Sequence, residues 1–185
     1  GAFSPDGKWL AFGGFGTAGL LSRDGGEARQ LGEFTSRGNA LAGVQFAPAS
    51  DLLMAQYRGE IRVWSVPGGK ELRRERIEAT AGTHVTDRGV FTETVVGRTT
   101  GIRLWPFGEG EAREIGAMQD LPGAHAFASG WLAYARDRKI FLRSLESWRS
   151  PPRRVAEVAA DLEELELSAD GKRLAARGAG EVHLW

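Results

Sequence analysis

Three histidines, His84, His125 and His183, are the side chains of this sequence best suited to metal binding or acid–base chemistry. They are separated by 41 and 58 residues, and the sequence has no cysteine that could complete a metal site. Metal sites that can be recognised from sequence usually place two ligands within a few residues of each other. The spacing therefore favours structural or surface roles for the histidines, and the sequence predicts no metal and no cofactor.

A glycine-rich stretch, Gly14-Phe15-Gly16-Thr17-Ala18-Gly19, matches the Gly-x-Gly-x-x-Gly pattern of dinucleotide-binding loops. In those proteins a helix begins at the loop, so that its amide groups and its dipole meet the pyrophosphate. Here Asp24-Gly25-Gly26 interrupts the chain only a few residues later. The stretch therefore favours a hairpin turn over a nucleotide site.

The carboxylates and serines show no recognisable catalytic pattern. The acidic residues at 161–166 are typical of the solvated side of a strand rather than of a paired acid and base. The sequence also has no Gly-x-Ser-x-Gly motif, which presents the nucleophile in many serine hydrolases. We therefore predict that this chain is not an enzyme, while a catalytic domain outside it is left open.

Charge and composition argue against nucleic acid and membranes as partners. Twenty-four basic and 24 acidic residues give a formal net charge of zero, which removes the field that attracts a chain to phosphate backbones or anionic lipids. No apolar run approaches the roughly 20 residues needed to span a bilayer. The absence of cysteine is consistent with a reducing compartment, and we expect a cytoplasmic location.

Short strands are the elements that must position any site. From 59 to 66 the sequence alternates, with Ile61 and Val63 on one face and more polar residues on the other, which is the period of a β-strand. Pro67-Gly68-Gly69 ends this strand, and a charged strand is expected at 71–76, so the segment predicts a hairpin. Similar phrases return at 101–105 and 180–185.

Two landmarks recur along the whole chain at one period. Apolar residues before a turn are spaced by 43, 39, 42 and 40 residues, at Phe3, Phe46, Val85, Phe127 and Leu167. Residues that open the Ile-x-Val-Trp-like strand are spaced by 43, 41, 38 and 42 residues, with a mean of 41, at Ala18, Ile61, Ile102, Ile140 and Val182. Four strands per repeat at this period predict an all-β fold, a β-propeller of four-stranded antiparallel blades.

The repeats resemble the WD-repeat family over essentially the whole chain. The resemblance rests on Phe3-Ser4-Pro5-Asp6-Gly7-Lys8, on Ile61-Arg62-Val63-Trp64 and on the Gly-Gly-Lys turn that follows. The segments 3–12 and 20–31 are also similar to the Tol-B-like propeller repeat. The WD-repeat resemblance implies a non-catalytic scaffold for protein–protein interaction.

The repeats depart from that family at the residues that join a blade internally. In the family a His, a Ser or Thr, an Asp and the Trp share a hydrogen-bond network. The tryptophan is present in three repeats, at Trp64, Trp105 and Trp185, but none of these has the aspartate. The repeat that has it, at Asp137, carries Arg143 in place of tryptophan. We therefore expect the blades to cohere mainly through packed apolar side chains.

The length corresponds to about four and a half repeats, with approximate boundaries 1–37, 38–79, 80–119, 120–160 and 161–185. The fourth repeat has extra residues at 144–154, which predict a longer turn. Since propellers of the WD-repeat family most often have more blades, we expect a segment of a longer propeller that continues on both sides. Open edges of such a partial ring could associate with neighbouring chains.

Function in a propeller is expected in the loops of one face, because the side chains of the strands are used for packing between blades whereas the loops are free to vary. Aromatic, arginine and other side chains that anchor protein interfaces occur in these loops, at Phe34, Arg37, Tyr57, Arg58, Arg98, Met118, Arg136 and Asp137. We expect a protein or peptide partner on this loop face, and one module of a larger bacterial protein.

Two alternatives remain open from the sequence. The propeller could be a regulatory or substrate-binding module of an enzyme, for which Gln45 and His125 on inner strands would be candidate channel residues. It could also be a ligand-sensing propeller of the Tol-B-like kind.

Overall fold

A computed structural model describes residues 1–14, 17–33, 41–57, 59–77, 81–107 and 110–185. In these ranges every regular element is a β-strand, and every strand pairing is antiparallel. None of these ranges contains a helix that is long and apolar enough to cross a membrane. The predicted all-β fold is confirmed.

The strands form five sheets, which we call blades one to five in chain order. Blade one contains β1 (Ala2–Phe3), β2 (Trp9–Gly14), β3 (Thr17–Ser22) and β4 (Arg29–Glu33). Blade two contains β5 (Leu41–Phe46), β6 (Leu52–Tyr57), β7 (Glu60–Ser65) and β8 (Glu71–Arg76). Blade three contains β9 (Gly82–Val85), β10 (Gly89–Val96), β11 (Thr99–Pro106) and β12 (Arg113–Gln119). Blade four contains β13 (His125–Ala128), β14 (Trp131–Arg136), β15 (Lys139–Ser144) and β16 (Arg153–Glu157). Blade five contains β17 (Glu164–Leu167), β18 (Leu174–Gly178) and β19 (Glu181–Leu184).

The blades are arranged side by side around an inner row of strands. Within each blade the strands are hydrogen-bonded in chain order. The first strands of successive blades, β1, β5, β9, β13 and β17, contact one another in turn. They are therefore the innermost strands, and the chain forms a partial propeller of about four and a half blades.

Apolar side chains fill the space between each pair of neighbouring blades. Trp64 is completely buried between blades one and two, and Trp105 is buried between blades two and three. Phe91 and Phe127 meet between blades three and four, and Leu165 lies in the cluster between blades four and five. A sheet with two apolar faces is stable only if both faces are covered. The four clusters cover both faces of blades two, three and four, and one face each of blades one and five. This packing agrees with the expectation that apolar contacts hold the blades together.

The turn between the first two strands of a blade is built in the same way near both ends of the chain. Ser4 Oγ donates a hydrogen bond to Asp6 Oδ1 at 2.6 Å, and Ser168 Oγ donates to Asp170 Oδ1 at the same distance. Gly7 follows Asp6 with a φ of 70°, and the equivalent glycine of blade five has a φ of 68°. Glycine suits this position because other residues avoid positive φ. The repeated sequence therefore produces a repeated turn.

The glycine-rich stretch that matches the dinucleotide pattern joins two strands of blade one. β2 ends at Gly14 and β3 begins at Thr17, so an extended strand occupies the place where a nucleotide-binding fold would begin a helix. A helix N-terminus, which binds the pyrophosphate in nucleotide-binding folds, therefore does not begin at Thr17. The hairpin interpretation agrees with the structure.

Candidate functional site

Five of the eight residues predicted for the loop face lie in the described part of the chain, and they take two kinds of position. Three of the eight, Phe34, Arg37 and Arg58, lie outside the described residues. Three others are exposed on the turns between the second and third strands of blades three and four, namely Arg98, Arg136 and Asp137. The remaining two, Tyr57 and Met118, point toward the interior.

Arg98 and Asp120 form a two-pronged ion pair at the rim of blade three. Arg98 Nε lies 2.7 Å from Asp120 Oδ1, and Nη2 lies 2.6 Å from Oδ2. Gly97, with a φ of 62°, makes the tight turn that precedes Arg98, and Asp120 itself has a φ of 50° just after β12. The hydrogen bond from Arg98 lowers the pKa of the Asp120 carboxyl and raises that of the arginine. Since both side chains are exposed, the pair orients the groups more than it stabilises the fold.

Arg136 of blade four contacts the same connection from the other side. Its Nη2 donates hydrogen bonds to the carbonyl oxygens of Gln119 and Asp120, each at 3.0 Å. The guanidinium carbon also lies 5.8 Å from the centre of the Tyr134 ring. These contacts bring the turns of two blades together, and we call Arg98, Asp120 and Arg136 the Asp120 cluster.

The turn beside Arg136 presents two further charged side chains to solvent. Asp137 and Arg138 have φ values of 51° and 59°, as in the two-residue type I′ turns that match the twist of antiparallel strands. Both residues are exposed. The rim of blade four therefore offers a carboxylate and a guanidinium next to the Asp120 cluster.

Exposed apolar side chains precede the Arg98 turn. Val95 and Val96, the last two residues of β10, are 51% and 74% exposed. Successive strand residues point to opposite faces, so two adjacent exposed valines show that this end of β10 projects beyond the packed part of the blade. Sequence reasoning missed these valines because two valines at the end of a strand are as typical of a buried strand as of an exposed one, and it missed Asp120 because a single aspartate after a strand forms no pattern.

Tyr57 and Met118 lie beneath the loop face. Tyr57 is 1% exposed in the apolar cluster between blades one and two, and burial raises its pKa to about 12. Met118 is half-buried and packs against the cluster between blades three and four. Their positions suit them to support the loops rather than to touch a partner directly.

A second polar group, which sequence reasoning missed, lies between blades three and four. It consists of His84 on β9, Glu93 on β10 and His125 at the start of β13, and we call it the His–Glu–His triad. Glu93 Oε1 lies 2.5 Å from His84 Nε2 and 3.0 Å from His125 Nε2. The chain spacing separates the two histidines, but the fold brings them to one carboxylate. His183 lies in blade five on β19.

The triad shifts the pKa of Glu93 and that of His125. Burial acts to raise the pKa of Glu93, but hydrogen bonds from His125 and His84 outweigh burial and lower this pKa to about 2. Burial likewise acts to lower the pKa of His125, and the hydrogen bond and charge of Glu93 outweigh it, so that this pKa is raised. Glu93 is therefore a carboxylate at neutral pH although it is only 3% exposed.

Comparison with known proteins supports the fold. No protein-family model matches the sequence, and no curated protein matches it. The C-terminal WD40 domain of Sif2 matches with a TM-score of 0.65 and 14% identity, over 99% of this chain and 56% of that domain. Hsv2 of Kluyveromyces lactis matches with a TM-score of 0.64 and 14% identity, over 95% of this chain and 55% of that protein.

A chain in the structure of a mitotic checkpoint complex matches with a TM-score of 0.63 and 16% identity, over 99% of this chain and 58% of that chain. This chain thus spans a little over half the length of the solved structures that it matches. The identities are low, so the similarity concerns the arrangement of the strands. The five sheets, their inner row of strands and these matches together show that the chain has the β-propeller fold of WD-repeat proteins.

Proposed function

We propose that this chain is a non-catalytic platform that binds a protein or peptide through its loop face, with the Asp120 cluster at the centre of the contact. The observation that supports this most directly is the meeting of two exposed arginines from different blades around one aspartate. Arg98 is held by two hydrogen bonds to Asp120, and Arg136 by two backbone carbonyls. Such groups are already oriented before a partner arrives, which reduces the entropy lost on binding.

The surroundings of the cluster have the composition of a protein-binding surface. Arginine is enriched in protein interfaces. Exposed apolar side chains such as Val95 and Val96 supply apolar surface whose burial by a partner would favour binding. Asp137 extends the polar rim next to Arg136. The other predicted loop residues, Phe34, Arg37 and Arg58, belong to the same proposal on sequence grounds.

Several wider parts of the proposal rest on the sequence and on the fold. We also propose membership in a larger bacterial protein and a cytoplasmic location, and the lack of cysteine is consistent with a reducing compartment. Protein partners are further supported by the similarity to a chain in a mitotic checkpoint complex, which is a protein assembly. Association through open propeller edges is also part of the proposal.

The double variant Arg98→Ala/Arg136→Ala tests the loop face. Truncation of central interface arginines commonly costs about 2 kcal/mol or more, so we expect the affinity for the partner to fall by roughly 30-fold. Partners would be captured with the unmodified protein, identified by mass spectrometry, and their dissociation constants measured by biolayer interferometry.

Arg154→Ala is the matched control. Arg154 is an exposed arginine in an ion pair with Glu157, at 3.2 Å, but it lies within the outermost strand β16, opposite Phe141 of β15, and not in a rim turn. Its loss should leave binding unchanged. If Arg98→Ala/Arg136→Ala retained the same partners with the same affinities, the loop-face proposal would be wrong.

A further inference from the structure

We propose that His84, Glu93 and His125 form a binding site for a divalent transition-metal ion of the zinc class, and that this ion joins blade three to blade four. Two ligands come from blade three, on β9 and β10, and the third is the first residue of β13 in blade four. The site is separate from the Asp120 cluster and does not depend on the loop-face function.

The three ligand atoms are close to the arrangement that zinc requires. Zinc sites with two histidines, one glutamate and an open fourth position are a known ligand set, with bonds of about 2.0–2.1 Å. Ligand atoms in such a tetrahedron are roughly 3.3 Å apart. In the triad, Glu93 Oε1 is 2.5 Å and 3.0 Å from the two Nε2 atoms, and all three atoms lie within 4.8 Å of one another. To admit an ion, these two distances would have to widen by about 0.8 Å and 0.3 Å.

The second nitrogen of His125 is already engaged in the way that metal-binding histidines require. His125 Nδ1 lies 2.7 Å from the carbonyl oxygen of Pro122, which can only accept a hydrogen bond, so Nδ1 carries the proton. Without an ion, Nε2 donates a hydrogen bond to Glu93 Oε1. A bound metal ion would take the place of that proton, which is released to solvent, so that Nε2 and the Glu93 carboxylate both face the ion. Backbone carbonyls that fix a ligating histidine in this manner are typical of metal sites.

The strand that carries His84 is held in place from the neighbouring blade. Gln45 of β5 donates from Nε2 to the carbonyl oxygen of Thr83 at 3.1 Å, and its Oε1 accepts from the amide of Val85 at 3.2 Å. These bonds flank His84 on both sides. A ligand on a fixed strand loses little entropy when it binds an ion, so this clamp favours the site.

Gly82 leaves the space that the triad occupies. A Cβ atom at this position would lie 2.8 Å from Glu93 Oε1 and 3.0 Å from His84 Nε2. The φ of Gly82 is outside the positive range, so its backbone does not require glycine. The small residue therefore serves the side chains of the triad, and Gly82→Ala perturbs the ligands without removing any of them.

The test is titration of the metal-free protein, prepared with a chelator, with zinc chloride and with cobalt chloride. We expect one zinc ion per chain by isothermal titration calorimetry and a visible absorption band of four- or five-coordinate cobalt. His125→Ala and Glu93→Gln should weaken zinc binding by about tenfold or more, as should Gly82→Ala. Bound zinc should also raise the melting temperature, because the ion binds only the folded triad.

His183→Ala is the control, since His183 Nε2 lies beside Glu181 at 3.3 Å on the exposed strand β19 and could bind zinc weakly by itself. This variant should retain the affinity and the cobalt band, and circular dichroism of each variant excludes unfolding as the cause of a loss. Zinc binding that survives in His125→Ala and Glu93→Gln but disappears in His183→Ala would overturn the proposal. So would the absence of stoichiometric binding in the folded, unmodified protein, which would leave the triad as a hydrogen-bonded ion pair.

Discussion

We predict that Gly116→Ala destabilises the protein only while Trp148 is present. Trp148 lies in the long connection between β15 and β16 of blade four, and its ring covers Gly116 on β12 of blade three. A Cβ atom at position 116 would lie 2.1 Å from Trp148 Nε1 and 2.3 Å from Cδ1, which is far inside van der Waals contact. The indole ring would therefore have to move.

The ring cannot move freely, because Arg143 holds the connection. Arg143 Nη1 lies 2.5 Å from the carbonyl oxygen of Trp148, and the guanidinium carbon lies 4.8 Å from the centre of the indole ring. Adding a methyl group to a packed site usually costs about 1–3 kcal/mol. We therefore expect Gly116→Ala to lower the free energy of unfolding by about that amount.

The same substitution should be harmless in a Trp148→Ala background. The clash is then absent, and replacing glycine by alanine at a permitted φ restricts the unfolded chain, which stabilises by about 0.4–1 kcal/mol. The coupling energy between the two substitutions should thus be about 1.5–4 kcal/mol, the sum of the lost clash and this gain.

Urea unfolding followed by circular dichroism measures all four proteins of this cycle. Gly43→Ala is the matched control, because Gly43 is also a strand glycine outside the positive φ range and a Cβ there would meet no atom within 4 Å. It should change stability by less than about 1 kcal/mol. Equal costs of Gly116→Ala with and without Trp148 would refute the contact between the two blades.

Two further predictions concern single hydrogen bonds. Thr92→Val should lower the free energy of unfolding by about 1–3 kcal/mol, because Trp105 Nε1 donates to Thr92 Oγ1 at 3.0 Å in a buried site and would lose its acceptor; unchanged stability in urea unfolding would contradict this. In Ser4→Ala, the pKa of Asp6 should rise toward its ordinary value of 3.8, because the hydrogen bond from Ser4 is the largest cause of its lowering, while Asp170 in the equivalent turn keeps its lowered pKa. A lowered pKa contributes stability above pH 3.8 that is lost as the pH falls through the folded pKa, so Ser4→Ala should destabilise at neutral pH and less in strong acid. NMR titration of both carboxyls measures the shifts, and equal shifts in the two turns would contradict the assignment.

The strands could be predicted from the sequence because their signals are local. The alternation at 59–66 and the charged run at 71–76 correspond to β7 and β8, whose bounds are Glu60–Ser65 and Glu71–Arg76. The stretch 158–167 is rich in leucine and glutamate at both helical and alternating spacing, so local propensity does not distinguish a helix from a strand. The stretch forms a strand over Glu164–Leu167, since pairing with β18 buries Leu165 and leaves the glutamates outside. Tertiary pairing decided where local preference did not.

The side-chain contacts between separate turns and strands could not be predicted in this way. Arg143 stands where the resemblance to WD repeats would place a tryptophan, and the sequence shows only a departure from the pattern. In the structure Trp148, five residues later, lies against that arginine. Likewise, the ion pair of Arg98 with Asp120 depends on two turns whose relative position follows from the packing of whole strands. Side-chain partners that come from different turns carry no common local pattern.

The His–Glu–His triad shows that, in a repeat fold, the spacing along the chain can predict which side chains of neighbouring blades meet. His84 and His125 are 41 residues apart, which equals the mean period of the strands that open each Ile-x-Val-Trp phrase. In a protein without repeats, a spacing of 41 residues would not predict that two side chains meet. In a propeller, one period brings two residues to equivalent strands of adjacent blades. β9 and β13 are such strands, and Glu93 lies on β10, which pairs with β9. Two ligands a few residues apart lie on the same strand or hairpin, where successive side chains point to alternate faces, so they cannot come from two blades. In a propeller, the spacing between candidate ligands should therefore be compared with the repeat length.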